Sequence, residues 1–143
     1  GIEKYANSDV YEGEWKNGWR YGKGKYTFSE GGYYEGEWQH DLYHGEGILI
    51  LATGEAYTGS FANGYKDGKG VHQFTNEDYY EGDFKKDMRN GFGTMKYHNG
   101  NEYIGKWVND RKEGQGLMNY TTSIVYQGEW FNDLKHGKGK EEN

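Results

Sequence analysis

Apolar and polar residues alternate through Tyr11-Glu12-Gly13-Glu14-Trp15, the pattern of a strand with one face buried. Tyr11, Gly13 and Trp15 share a face, and Glu12 and Glu14 take the other. A second stretch puts Gly22, Gly24, Tyr26 and Phe28 on one side. Asn17-Gly18 lies between the two and signals a two-residue hairpin turn. The signal returns as Asn63-Gly64 and, more loosely, as Asn109-Asp110 and Asn132-Asp133. Gly31-Gly32 and Asn99-Gly100 mark connections from one hairpin to the next. The pattern predicts a succession of β-hairpins.

The succession is periodic. Tyr-x-Gly-x-Trp/Phe begins at Tyr11, Tyr34, Tyr57, Tyr80, Tyr103 and Tyr126, at a constant spacing of 23 residues. Each copy leads to a Gly-x-Gly: Gly22/Gly24, Gly45/Gly47, Gly68/Gly70, Gly91/Gly93, Gly114/Gly116 and Gly137/Gly139. A period in the twenties means one supersecondary unit per repeat, stacked into an extended array. Residues 1–10 read as a partial repeat, with Gly1 in the second glycine slot, and the unit from Tyr126 reads as truncated. The expectation is a segment of a longer array and a longer protein.

The glycines have a mechanical use. On the ring-bearing face they leave bare backbone over which a Tyr or Trp ring can lie, and they permit twist where a Cβ would clash. On the opposite face Glu12 and Glu14 are expected to pair across the hairpin with Lys23 and Lys25, for about 0.2–1 kcal/mol a pair. Two strands at about 4.8 Å give an advance of roughly 10 Å per unit. One hairpin cannot bury its own face, so each unit depends on its neighbours.

Composition supports an aromatic core. The 143 residues include 25 Gly and 15 Tyr, with no Pro and no Cys. Aliphatic residues are sparse, and the strict register of rings argues against disorder. Without Cys there are no disulfides, thiolate nucleophiles or Cys-ligated metals. The longest aliphatic run, Ile48 to Leu51, is far short of a helical membrane span. The net charge is −6, and Lys and Arg are scattered in sequence, which argues against nucleic acid as a partner.

Tyr-Glu-Gly-Glu-Trp-Lys-Asn-Gly followed by Gly-Lys-Gly-x-Tyr, as at Tyr11–Tyr26, resembles the MORN repeat (membrane occupation and recognition nexus), and the similarity runs from Gly1 to Lys140. The resemblance implies an all-β, elongated single-layer antiparallel sheet of hairpin repeats, twisted into a rod or trough. It implies a scaffold or docking module in place of an activity. Phe61 and Phe84 replace the usual Trp. The slot four residues after that ring, often Lys in the family, holds Trp19, Leu42, Tyr65, Met88, Arg111 and Leu134.

Candidate chemistry is thin. No Gly-x-Gly extends to a dinucleotide fingerprint, and the stretch from Gly18 to Gly24 misses a P-loop in spacing and in its last residue. The carboxylate pairs Glu12/Glu14, Glu35/Glu37 and Glu81/Asp83 recur on the face away from the rings, as a solvated surface does. The histidines, His40, His44, His72, His98 and His136, lack ligand spacing and read as surface residues. No catalytic residue, cofactor or metal is expected.

A single-layer sheet cannot cover both faces, and an open ring surface invites a partner. The expected partner-binding residues are Tyr34, Trp38, Tyr57, Phe61, Tyr80, Phe84, Tyr103 and Trp107, with Leu42, Tyr65 and Met88 along one edge. The expected function is a non-catalytic scaffold holding a peptide or helix of another protein in this groove. The expected setting is cytoplasmic, in a cytoskeletal, ciliary or membrane-junction assembly. Self-association through exposed edge strands is a second use. The alternatives are an anionic-lipid or phosphoinositide module, disfavoured by net charge, and an accessory domain of a larger enzyme.

Overall fold

The computed structural model describes residues 1–142. Its strands are β1 (Ile2–Lys4), β2 (Val10–Lys16), β3 (Trp19–Thr27), β4 (Gly32–Gln39), β5 (Leu42–Leu51), β6 (Ala56–Ala62) and β7 (Tyr65–Gln73). They continue as β8 (Tyr79–Lys85), β9 (Met88–Lys96), β10 (Glu102–Val108), β11 (Arg111–Asn119), β12 (Val125–Phe131) and β13 (Leu134–Glu142). All 13 belong to one antiparallel sheet in which spatial order is sequence order. The all-β, single-layer repeat architecture expected from the sequence is the one observed.

Register follows the repeat. Tyr11 faces Tyr26, which faces Tyr34, and Gly13, Gly24 and Gly36 lie side by side. This glycine column is unbroken from β2 to β13, ending on Gly128 and Gly139. Each hairpin also carries a register irregularity just beyond the column, as between Gly13 and Trp15.

The turns are two-residue hairpins with positive φ at both central residues, as at Asn17 (50°) and Gly18 (82°). His40-Asp41 and Lys86-Asp87, which carry no Asn-Gly signal, adopt the same geometry. Their aspartates compensate. Asp41 Oδ1 accepts the backbone N–H of Arg20 at 2.7 Å, and Asp87 Oδ1 that of Lys66 at 2.8 Å. A side chain in one turn thus staples the preceding unit.

The sheet is bent across its strands. Lys66 and His72 lie six residues apart in β7, about 20 Å along a straight strand, farther than the two side chains reach. Yet Lys66 Nζ is 3.3 Å from His72 Nδ1. Arg20 and Tyr26 meet in the same way in β3, with the guanidinium 5.1 Å from the ring centroid. The bend falls between them, at Gly68 (φ +94°) and its counterpart Gly22 (φ +67°), where only glycine is at ease. Each hairpin therefore folds over beside the glycine column, at the first glycine of its Gly-x-Gly, and the array is a trough whose interior lies between two halves of one layer.

Rings fill that interior as a continuous ladder. Tyr34 makes edge contacts with Trp38 of its own unit (5.1 Å) and Phe61 of the next (5.3 Å), and Tyr80 does the same with Phe84 (5.1 Å) and Trp107 (5.5 Å). Edge-to-face geometry at these distances suits the ring quadrupoles and adds about 0.5–1.5 kcal/mol a pair beyond burial. Each tyrosine ring lies on the second glycine of the following Gly-x-Gly, where a Cβ at Gly93, for instance, would overlap the Tyr80 ring.

Candidate functional site, the mouth of the trough

The tyrosines of the ladder are spent on the fold. Tyr34, Tyr57, Tyr80 and Tyr103 are no more than 1% exposed. Each hydroxyl donates to a carbonyl three residues on, Tyr80 to Asp83 at 2.9 Å and Tyr103 to Lys106 at 3.0 Å. Burial pushes the four hydroxyls well above the ordinary tyrosine value, so they stay neutral donors. Trp38, Phe61, Phe84 and Trp107 are also buried, and Trp107 Nε1 donates to Gly93 O at 3.3 Å. The eight rings expected to touch a partner thus form the interior, with their polar atoms engaged inside the chain. Leu42, Tyr65 and Met88 are exposed, at 45%, 47% and 36%. They sit on the rim of the mouth.

What lies above the ladder is a pair of facing ranks, each recurring every 23 residues. One rank is Tyr5, Phe28, Leu51, Phe74, Tyr97 and Tyr120, all apolar or aromatic and at least partly exposed. The other is Arg20, Tyr43, Lys66, Arg89, Lys112 and Lys135. The cations reach across to the opposite rank: Arg89 is 5.7 Å from the Phe74 ring, Lys112 is 5.5 Å from Tyr97 and Lys135 is 5.2 Å from Tyr120. They also roof the ladder, with Arg89 4.7 Å from the Trp107 ring and Lys112 4.9 Å from Trp130. Basic residues that are scattered in sequence are therefore gathered along one line of the fold.

Their charge balance is uneven. Arg20 and Arg89 form ion pairs with Asp41 and Asp110, each at 3.0 Å. Among the described residues, no carboxylate lies within 4.0 Å of the ammonium of Lys66 or Lys112. Burial lowers the pKa of both, although neighbouring carboxylates pull the other way. Lys112 donates to the Tyr97 hydroxyl at 3.3 Å, and Lys66 to His72 Nδ1. With Nδ1 accepting, His72 Nε2 carries the proton and meets Glu55. His72 is buried, contrary to its expected surface position, because its slot is the inward one that Met95 and Met118 fill in later units.

Where Tyr43 replaces the cation, its ring lies flat on Tyr34, 3.9 Å between centroids. The mouth opens there into a cavity of about 350 Å³, bounded by Arg20, Tyr26, Phe28, Trp38, Leu42 and Tyr43. A wider concavity of about 610 Å³ crosses the outer face over the bare glycine column, edged by Thr58, Val71, Phe92 and Ile104.

The outer face differs from expectation in its pairing: among the described residues neither Glu12 nor Glu14 meets a lysine ammonium within 4.0 Å. The carboxylate of Glu14 does not reach across to a lysine ammonium but accepts the backbone N–H of Lys23 at 2.6 Å, and Glu37 does the same for Glu46. The glycine kink turns these N–H groups out of the ladder, and the carboxylate satisfies them. Lys69 with Asp83, at 2.5 Å, is an ion pair between neighbouring hairpins, from β7 to β8, and not across one hairpin as expected. No group of three or more His, Asp or Glu among the described residues could hold a metal.

The two ranks were legible in principle. Their slots keep the repeat's period, but the cations follow the Trp19/Leu42 slot by one residue, and only the bend makes them face the rings.

No curated protein matches the chain. A solved structure, the SAS-4 (dCPAP) TCP domain of Drosophila melanogaster in complex with a proline-rich motif of Ana2 (dSTIL), is similar in fold. The TM-score is 0.53 at 19% identity, over 89% of this chain and 70% of that one. The MORN repeat family model matches residues 11–33, 34–56, 57–79, 80–102, 103–123 and 126–142 in unbroken succession but for two residues. The chain belongs to the MORN-repeat family.

Proposed function

We propose that the array is a non-catalytic scaffold that holds an extended segment of a partner protein along the mouth of the trough. The observation that carries this reading is the pair of facing ranks, half-exposed rings opposite cations, running the length of the array. Rings give contact area at low entropic cost and cations give orientation. The similar TCP domain, described in complex with a proline-rich motif of its partner, supports the reading by analogy of fold. The buried ladder supplies rigidity, and the rim residues Leu42, Tyr65 and Met88 border the segment. The setting we propose is cytoplasmic, in a cytoskeletal or membrane-junction assembly.

The test is to select short peptides on the array from a displayed library and map them by chemical-shift perturbation. The expected footprint covers Phe28, Phe74, Tyr97 and the cationic rank. A footprint confined to Phe92 and Ile104 on the outer face, or no binder at all, would refute the reading.

An anionic-lipid surface is the second reading, and the same cations support it. It is the weaker one, because Arg20 and Arg89 are already neutralised by aspartates and the chain carries a net charge of −6.

A further inference from the structure

We propose that the segment held in the mouth is a polyproline II helix bearing carboxylates six residues apart, which meet Lys66 and Lys112. The inference rests on the preceding reading and specifies the partner's conformation and charge.

Geometry supplies the first argument. A unit contributes two strands, and at about 4.8 Å each the ranks repeat every ~9.6 Å along the mouth. A ligand lying across the strands makes the same contact with successive units only if its own surface repeats at that interval. A polyproline II helix has three residues per turn at about 3.1 Å, and so repeats every ~9.3 Å. The mismatch is about 0.3 Å per unit, small enough to stay in step over several units. A β-strand returns to the same face every ~6.7 Å, and an α-helix turns every ~5.4 Å. Neither keeps step with the ranks.

Surface chemistry supplies the second. Polyproline II segments dock on grooves lined by aromatic rings, and Phe28, Phe74, Tyr97 and Tyr120 present such a row. The conformation has no internal hydrogen bonds, so its carbonyls need outside donors, and the ammoniums of the opposite rank are at hand.

Charge supplies the third. Lys66 and Lys112 are the two half-buried cations of the rank without a carboxylate partner among the described residues, whereas Arg89 between them is paired with Asp110. They stand two units apart, hence ~19 Å. Six residues of polyproline II span ~18.6 Å and bring the same face round twice. An acidic side chain at each end therefore reaches both ammoniums at once.

The probes are fluorescent polyproline peptides with two glutamates six residues apart or five apart, and a Gly/Ser peptide with the six-residue spacing. Anisotropy titrations are run at about 0.15 M salt, where long-range attraction is screened. The six-spaced proline peptide is expected to bind about tenfold tighter than either control. The Lys66→Met/Lys112→Met double variant is expected to lose that advantage. Since Tyr43 occupies the same slot in one unit, the variant should fold, and a thermal melt checks it. Equal affinity for both spacings in the unaltered protein overturns the proposal without any variant. So does binding unchanged in a folded double variant. If selected peptides map to the mouth while no polyproline peptide binds, this inference falls and the scaffold reading stands. If neither binds, and phosphoinositide vesicles bind through Lys66 and Lys112, both give way to a membrane surface.

Discussion

Trp107→Ala removes a ring that joins the fourth repeat to the fifth. The indole is 2% exposed and contacts Tyr80 at 5.5 Å, Tyr103 at 5.2 Å and the Arg89 guanidinium at 4.7 Å. Its Nε1–H also satisfies Gly93 O. Loss of a buried ring this large costs about 3–5 kcal/mol. Trp107→Phe should cost much less, because Phe61 and Phe84 fill the same slot elsewhere and keep the edge contacts. The loss sits at a junction between units, and in an array held by nearest-neighbour contacts it should also weaken coupling between the halves. Urea titration followed by fluorescence can separate the two effects. Trp15, Trp19 and Trp38 report the first half, and Trp130 the second. The expected result for the alanine variant is a lower midpoint with a broadened or split transition, and for the phenylalanine variant a single transition close to the parent. Equal midpoints for parent and alanine variant would refute the ladder as the source of stability.

Three further outcomes are expected. Tyr80→Phe keeps the ring but leaves the Asp83 carbonyl without its 2.9 Å donor; a loss of about 0.5–1.5 kcal/mol in urea titration, with no change in peptide affinity, would confirm that the hydroxyl serves the fold. Asp110→Ala removes the acceptor for both the backbone N–H and Nε of Arg89, and hydrogen exchange should show the Arg89 amide protected less than the equivalent Lys112 amide. Burial, reinforced by Lys66, lowers the His72 pKa below 6.5, against the opposing pull of Glu55. The unfolded chain therefore takes up a proton as pH falls through 6.5 while the native chain does not, so the histidine's contribution is intact above that pH and is lost progressively below it. Melting temperatures between pH 7.5 and 5.5 should fall less steeply in His72→Leu than in the parent.

The sequence disclosed what is local and periodic. Alternation through Tyr11–Trp15, the Asn-Gly turns and the Tyr-to-glycine spacing were enough to give strands, hairpins and the interior rings. The turns at His40-Asp41 and Lys86-Asp87 escaped because they lack the Asn-Gly pair that marks such a turn; in the structure they take the same positive φ, with the aspartate bonded to the preceding unit. The candidate site was hidden for a different reason. Strand alternation places Arg20 and Tyr26 on one face but far apart, and only the kink at Gly22 brings them together. Spacing along a strand cannot report a bend across it. His72 needed no bend: alternation already sets it with Gly68 and Gly70 on the ring-bearing face, in the slot that Tyr26, Met95 and Met118 fill in other units.

Variation among the six copies divides along the same line. The tyrosine and both glycines of the column are identical in every unit from Tyr11 onward, because each ring lies on backbone that no Cβ can share. The two ranks at the mouth hold Phe, Leu or Tyr on one side and Arg, Lys or Tyr on the other. A residue there can change without disturbing the ladder beneath it, since it roofs the interior and does not interlock with it. Tyr43 is the natural instance: the cation is gone, the ladder continues from Tyr34 to Phe61, and the mouth gains a cavity. The fold is thus maintained by slots that are constant among the six copies, and under the scaffold reading we propose the variable slots would set recognition unit by unit.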